Sequence, residues 1–118
     1  MFYNSLVSEV SEYFLPATTL SSYCYAEMFY GCANLITPPE LPATTLSTYC
    51  YYYMFRDCTS LTESPYLPAS SLSDFSYAYM FYGCTSLNKI TTSMTTSGTT
   101  STRYWVYNVS SKGDFNAP

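Results

Sequence analysis

The chain repeats itself with a period of 26 residues, and this feature constrains its fold more than any other. The tripeptide Leu-Pro-Ala starts at residue 15 and recurs at residues 41 and 67. The same spacing relates further columns of one residue type: Leu20, Leu46 and Leu72; Tyr25, Tyr51 and Tyr77; Met28, Met54 and Met80; Phe29, Phe55 and Phe81; Cys32, Cys58 and Cys84; Leu35, Leu61 and Leu87. Such a period is typical of units that are too small to bury an apolar face alone and that pack against the next copy. We therefore expect these columns to form the core.

The spacing within one unit predicts its local structure. Four positions of the first unit stand at i, i+3, i+4 and i+7, which places them on one face of a helix: Tyr25, Met28, Phe29 and Cys32. We predict one short helix per unit, over about 20–31 in the first. Gly31 follows as a left-handed exit residue, and its column continues with Asp57 and Gly83. Residues 35–41 carry leucines an even number of positions apart, with two prolines between them, and predict a short, interrupted strand.

Together these elements predict an α/β solenoid, a leucine-rich repeat of about 26 residues per unit with one short helix and one short strand per repeat. Residues 1–14 would form a partial N-terminal repeat, and residues 15–90 three tandem repeats. Residues 91–118 would form a degenerate terminal repeat or a C-terminal cap, because Thr and Ser replace the aromatic columns there. Trp105, Val106, Tyr107 and Val109 offer the apolar surface that would close this end.

The repeated blocks resemble a known family. LPATTLSSYCYAEMFYGCANL (15–35), LPATTLSTYCYYYMFRDCTSL (41–61) and LPASSLSDFSYAYMFYGCTSL (67–87) resemble the BspA-type leucine-rich repeats of bacterial surface proteins, especially the tandem versions of gut Bacteroidetes. The tail YWVYNVSSKGDF (104–115) is similar to the segment that often ends such arrays. The chain departs from the pattern at Asp57 and Ser76, where Gly and Cys are expected, and it starts within a unit. The resemblance implies a cell-surface or extracellular location and a non-enzymatic adhesion role toward proteins or glycans, without naming any binding residue.

Charge excludes several function classes. The 118 residues include 4 basic and 8 acidic side chains and no histidine, for a net charge of −4. The four cations are scattered singly, so we expect no nucleic-acid partner. No apolar run approaches the roughly 18 residues of a membrane span, and the first ten residues lack a signal-peptide pattern, so we expect no membrane insertion.

Chemistry-bearing residues are also sparse. Histidine, the commonest general base and metal ligand, is absent from the sequence. The five cysteines come no closer than eight residues and form no C-x-x-C pair, so we expect neither a zinc site nor a disulfide framework, but five thiols. We predict no catalytic residue, no metal site and no cofactor, and hence no enzyme.

Positions that vary between the units are the candidates for binding. On the predicted strand side they form a candidate binding face: Thr37, Glu40, Glu63, Tyr66, Lys89 and Thr92. On the other side they form a candidate outer aromatic face: Tyr30, Tyr52, Tyr53, Tyr79 and Tyr82. Tyrosines give flat, amphipathic contact area at low entropic cost. We expect a non-enzymatic interaction module for a protein or glycan ligand, with a slight preference for the strand side.

The alternative is a structural component that stacks end to end into a fibre or a virion appendage. The first residues lack the complete apolar pattern needed to cover the next unit, and the Trp105 region exposes an apolar surface of its own. Contact between unlike ends propagates unless it closes into a ring. End-to-end self-association of the chain is therefore an expected partner interaction.

Overall fold

The computed structural model describes residues 5–10, 15–95 and 100–110 and the backbone of 114–116. No residue in these ranges is helical, and the regular elements are two short strands, β1 (Lys89–Thr91) and β2 (Asp114–Asn116). They form a two-stranded parallel sheet in which Ile90 pairs with Phe115. The α/β solenoid with a helix and a strand in every leucine-rich repeat is therefore wrong. The chain instead forms a compact body of 31 × 29 × 20 Å.

Runs of β-turns replace the predicted helices. They occupy residues 20–32, 46–58, 72–84 and 100–108, which we call the first to fourth turn segments. In the first three, backbone N–H groups alternate between two kinds of acceptor. The N–H of Met28 closes a turn by donating to the carbonyl of Tyr25 (3.3 Å), and the N–H of Tyr25 donates to the carbonyl of Cys50 in the next segment (3.0 Å). Every second donor thus connects neighbouring copies of the 26-residue unit.

Positive φ angles at every fourth residue make this backbone incompatible with an α-helix, whose φ lies near −63°. The left-handed positions are Tyr23, Glu27 and Gly31; Tyr49, Tyr53 and Asp57; Phe75, Tyr79 and Gly83; and Tyr104 and Asn108. The prediction of a left-handed residue at Gly31, Asp57 and Gly83 is confirmed, although each one belongs to a turn and not to a helix exit. Left-handed backbone costs about 1–2 kcal/mol per non-glycine residue, so hydrogen bonds and packing between the segments must offset it.

Two physical reasons explain the failure of the helix prediction. A run of turns with a period of four residues places residues 25 and 29 at one position of successive turns and residues 28 and 32 at the adjacent position, so the predicted helix face stays together. The segments are also rich in Tyr, Ser, Thr and Cys, which are poor helix formers. In a helix, the backbone N–H groups donate to carbonyls of the same helix. In these segments, every second N–H group donates to a carbonyl of the next unit.

The recurring apolar columns form the core, as predicted. Phe29, Phe55 and Phe81 are fully buried, and the ring of Phe55 stacks on the other two with centroids 5.5 and 5.6 Å apart. The column of Leu35, Leu61 and Leu87 is equally buried. Trp105, which is half-buried, packs against this core and stacks on Tyr77 (5.7 Å). The core therefore extends from the first turn segment to the fourth.

The segments predicted as strands are less regular. We call residues 35–41, 61–67 and 87–93 the first to third extended segments. The second and third are joined by backbone bonds from Ser64 to Lys89 (2.9 Å) and from Leu67 to Thr91 (3.0 Å). Between the first and second, the described chain has no backbone hydrogen bond. Of these three segments, all of which the structure describes, the third alone contains the predicted strand, as β1.

Candidate binding site

A groove of about 400 Å³ opens where the first and second extended segments part. Prolines supply most of its lining: Pro38, Pro39, Glu40, Leu41 and Pro42 on one side, and Pro65, Tyr66 and Pro68 on the other. Proline has no N–H to donate to a neighbouring backbone, and this explains why the two segments do not pair. We call this depression the proline groove. Its volume lies within the range of small-molecule and peptide pockets.

Two side chains give the proline groove its polar character. The ring of Tyr66 is 55% exposed, and its hydroxyl is hydrogen-bonded to the Ser93 hydroxyl of the third extended segment. This bond connects the Tyr66 side chain to the third extended segment. Glu40 is exposed and places a carboxylate in the lining. The groove is therefore mainly apolar, with one aromatic side chain and one carboxylate in its lining.

The structure brings only part of the predicted binding face together. Glu40 and Tyr66 line the groove. Glu63 and Lys89 are exposed partners in a parallel bridge, and Thr37 is exposed in a bridge with Glu9. Thr92 is buried, with 7% of its surface exposed, and lies apart from the groove. Its backbone pairs in a parallel bridge with that of the buried Leu67.

The groove-forming role of the prolines was missed. From the sequence, Pro38 and Pro39 indicated only the interruption of a strand. Their significance depends on neighbouring segments lying side by side, because two unpaired backbones are needed to open a groove. The available signal was that prolines occur in two consecutive units, at 38–42 and at 65–68.

The outer aromatic face is a network in which the rings contact each other. Tyr30, Tyr52, Tyr53, Tyr79 and Tyr82 are all half-buried. Tyr52 lies 4.1 Å from Tyr53 and 5.8 Å from Tyr79 between ring centroids. Two tyrosines outside the predicted set continue the network, since Tyr107 stacks on Tyr82 (4.9 Å) and Tyr104 meets Tyr79 (5.5 Å). A depression of about 250 Å³ lies among these four rings.

A cation is embedded in the same network. The guanidinium of Arg56 lies 4.4 Å from the ring centroid of Tyr82, 4.9 Å from that of Tyr53 and 5.4 Å from that of Tyr30. These distances fall within the range of cation–π attraction. The Asp57 carboxylate is 3.8 Å away from Arg56 Nε. Arg56 is not among the residues predicted from the sequence, and its contacts with three tyrosines show that much of the aromatic face is occupied by internal contacts.

The cysteines have properties of core residues. Cys24 is exposed, and the other four are buried. The Cys58 and Cys84 thiols donate to the carbonyls of Phe29 (3.1 Å) and Phe55 (2.9 Å). Burial raises the pKa of the Cys50 and Cys84 thiols to about 12. A protonated, buried thiol is a poor nucleophile, so these groups contribute packing.

Within residues 5–10, 15–95 and 100–110, no three His, Cys, Asp or Glu side chains converge as metal ligands would. The same ranges hold no helix with the length and apolarity of a membrane span. The chain matches no protein-family model, no curated protein and no solved structure.

Proposed function

We propose that this protein is a non-catalytic interaction module that binds an extended segment of a partner protein in the proline groove. The observation that carries the proposal is the concave, mainly apolar surface where two extended segments stay unpaired. Apolar grooves with a few placed polar groups are typical binding sites for peptides and small molecules. Proline side chains lose little entropy on binding, so the groove is already organised for a ligand.

The lining favours a peptide over a glycan. A glycan hydroxyl loses hydrogen bonds to water in an apolar groove, and the lining offers few polar groups to replace them. An apolar peptide side chain would pack on the prolines and the Tyr66 ring. A basic residue beside it would meet the Glu40 carboxylate. The expected ligand is therefore an extended peptide with an apolar residue next to Lys or Arg.

The aromatic face is the weaker candidate for the same function. Its tyrosines are half-buried and already contact each other or Arg56. A ligand would have to compete with these contacts, whereas the proline groove has open volume. The absence of catalysis in the proposal rests on protonated thiols and on the lack of histidine. A cell-surface location rests on the resemblance of the repeated blocks to bacterial surface proteins.

A random peptide library screened against the whole chain tests the proposal. Tyr66→Ala should weaken binding of the selected peptides about tenfold or more, because an aromatic anchor contributes at least ~1.4 kcal/mol. Glu40→Lys should weaken the binding of only those selected peptides that contain a basic residue. Tyr107→Ala is the matched control, since Tyr107 is 48% exposed and lies outside the groove. Selected peptides that bind Tyr66→Ala normally, or a glycan array that yields ligands where the peptide library yields none, would overturn the proposal.

A further inference from the structure

The depression of about 250 Å³ at the junction of the third and fourth turn segments is lined by four tyrosines, and we call it the tyrosine depression. Tyr79 and Tyr82 belong to the third segment, and their ring centroids lie 5.7 Å apart. Tyr104 and Tyr107 belong to the fourth, and their centroids lie 5.8 Å apart. The last two rings are exposed. A small ligand can therefore reach all of this lining from solvent.

The preceding junction, between the second and third turn segments, holds a cation in the corresponding place. At a shift of 26 residues, Tyr53 and Arg56 precede Tyr79 and Tyr82. The Arg56 guanidinium lies 4.9 Å from the ring centroid of Tyr53 and 4.4 Å from that of Tyr82. Both distances are within the roughly 6 Å over which an aromatic ring attracts a cation. That junction is thus occupied by the chain's own cation, whereas the next junction has tyrosine at all four positions and open volume between them.

We propose that the tyrosine depression binds a small organic cation, a guanidinium or quaternary ammonium group. Such groups are weakly hydrated, so they lose little when tyrosine rings replace water around them. The volume lies below the roughly 300 Å³ at which pockets for drug-sized ligands begin, so it suits a single cationic head group. The tyrosine depression shares no lining residue with the proline groove. This second site is therefore independent of peptide binding in the groove.

Two arginines beside the tyrosine depression modulate its affinity for a cation, although neither lines it. The charge of Arg56 is partly compensated by the Asp57 carboxylate, 3.8 Å from its Nε. Arg103 is exposed, and its guanidinium lies 5.4 Å from the ring centroid of Tyr104. Arg103 therefore competes for this ring and repels a cationic ligand. The net charge of −4 acts in the opposite sense, because it attracts cations to the molecule as a whole.

NMR titration of the whole chain with choline tests the proposal. The control ligand is the uncharged analogue of choline in which a tert-butyl group replaces the trimethylammonium group, so that shape is kept and charge is lost. Choline should shift the ring resonances of the four tyrosines and bind about three- to fivefold more tightly than the analogue, because only the cation is attracted by the rings. A peptide with one trimethylated lysine, titrated alongside, shows by its relative affinity whether a free molecule or a partner's side chain is the better source of the cation. Equal binding of choline and its analogue, or no shift with any cation, would overturn the proposal.

Variants of the exposed residues locate the site and determine the sign of its ligand. Tyr107→Leu removes a ring and should weaken choline binding about threefold or more, whereas Tyr107→Phe keeps the ring and should bind choline normally. Tyr66→Ala changes the proline groove alone and is the control for the separate site. Arg103→Gln should tighten choline binding, because a competing and repelling charge is removed. Weaker binding in Arg103→Gln, or equal binding in Tyr107→Leu and Tyr107→Phe, would contradict a cation held by these rings.

Discussion

The turn segments and the extended segments belong to the same repeated unit, yet they pair with their neighbours very differently. The turn segments are joined at all three junctions by rows of hydrogen bonds between copies. The extended segments are joined by backbone bonds between the second and third, while the first and second remain apart. Apolar leucines line both sides, so burial alone does not explain the difference. The turn segments and the extended segments differ in the number of backbone N–H groups that can donate to the next copy.

The third extended segment shows this directly. Two 26-residue units further along the chain, Ile90 and Thr91 take the positions of Pro38 and Pro39. The segment with Ile90 and Thr91 contains strand β1, and the segment with the two prolines has a groove beside it. Where these positions carry N–H groups, the segment pairs regularly with its neighbours. The proline groove therefore opens at the junction where backbone hydrogen bonds between the extended segments are missing.

The largest expected effect concerns the core of the turn side. Phe55→Ala should lower the free energy of unfolding by about 3–5 kcal/mol, because the ring is fully buried between two stacked phenylalanines. Tyr53→Ala should cost much less, since Tyr53 is half-buried in the aromatic network. Urea unfolding followed by fluorescence measures both variants. Equal costs would show that the inner and outer faces of the turn segments are wrongly assigned.

The next effect concerns the left-handed turns themselves. Gly83→Ala should cost about 1–2 kcal/mol or more, because the residue has a φ of +77° and an added Cβ would meet the Asp57 side chain. Asp57→Gly removes that contact and relieves the left-handed strain at a φ of +60°. Urea unfolding of the double variant separates the two causes. Gly83→Ala should cost less in the Asp57→Gly background, and an equal cost in both backgrounds would mean that the side-chain contact has no energetic role.

The sequence made the core predictable, but not the backbone that positions it. A column such as Phe29, Phe55 and Phe81 identifies buried residues whatever the local conformation, because burial follows from recurrence. The helix prediction failed because a four-residue turn period also keeps the pairs 25 and 29, and 28 and 32, at the same or adjacent positions, as a 3.6-residue helical period does. Only the low helix propensity of the Ser- and Tyr-rich segments pointed the other way.

The candidate site was predictable only in part. Glu40 and Tyr66 were found because they vary between units. The groove itself depends on two prolines failing to pair with a segment 26 residues away, which is a property of neighbouring copies and not of one unit. Arg56 was missed for the same reason, because its three tyrosine neighbours come from three different turn segments.

The smallest expected effect compares one serine on each side of the unit. Ser76 occupies a column that holds cysteine at positions 24 and 50, and its buried hydroxyl has no hydrogen-bond partner in the described chain. On the extended side, the Ser64 hydroxyl donates to the Pro65 carbonyl (2.8 Å) and accepts from the Thr91 N–H (3.3 Å). An unsatisfied buried hydroxyl costs about 1–3 kcal/mol, whereas a satisfied one contributes about 1 kcal/mol. Ser76→Cys should therefore stabilise the protein and Ser64→Ala should destabilise it by about 1 kcal/mol, measured by urea unfolding under reducing conditions. If both substitutions shifted stability in the same direction, hydrogen-bond supply would not be what separates the two sides of the repeat.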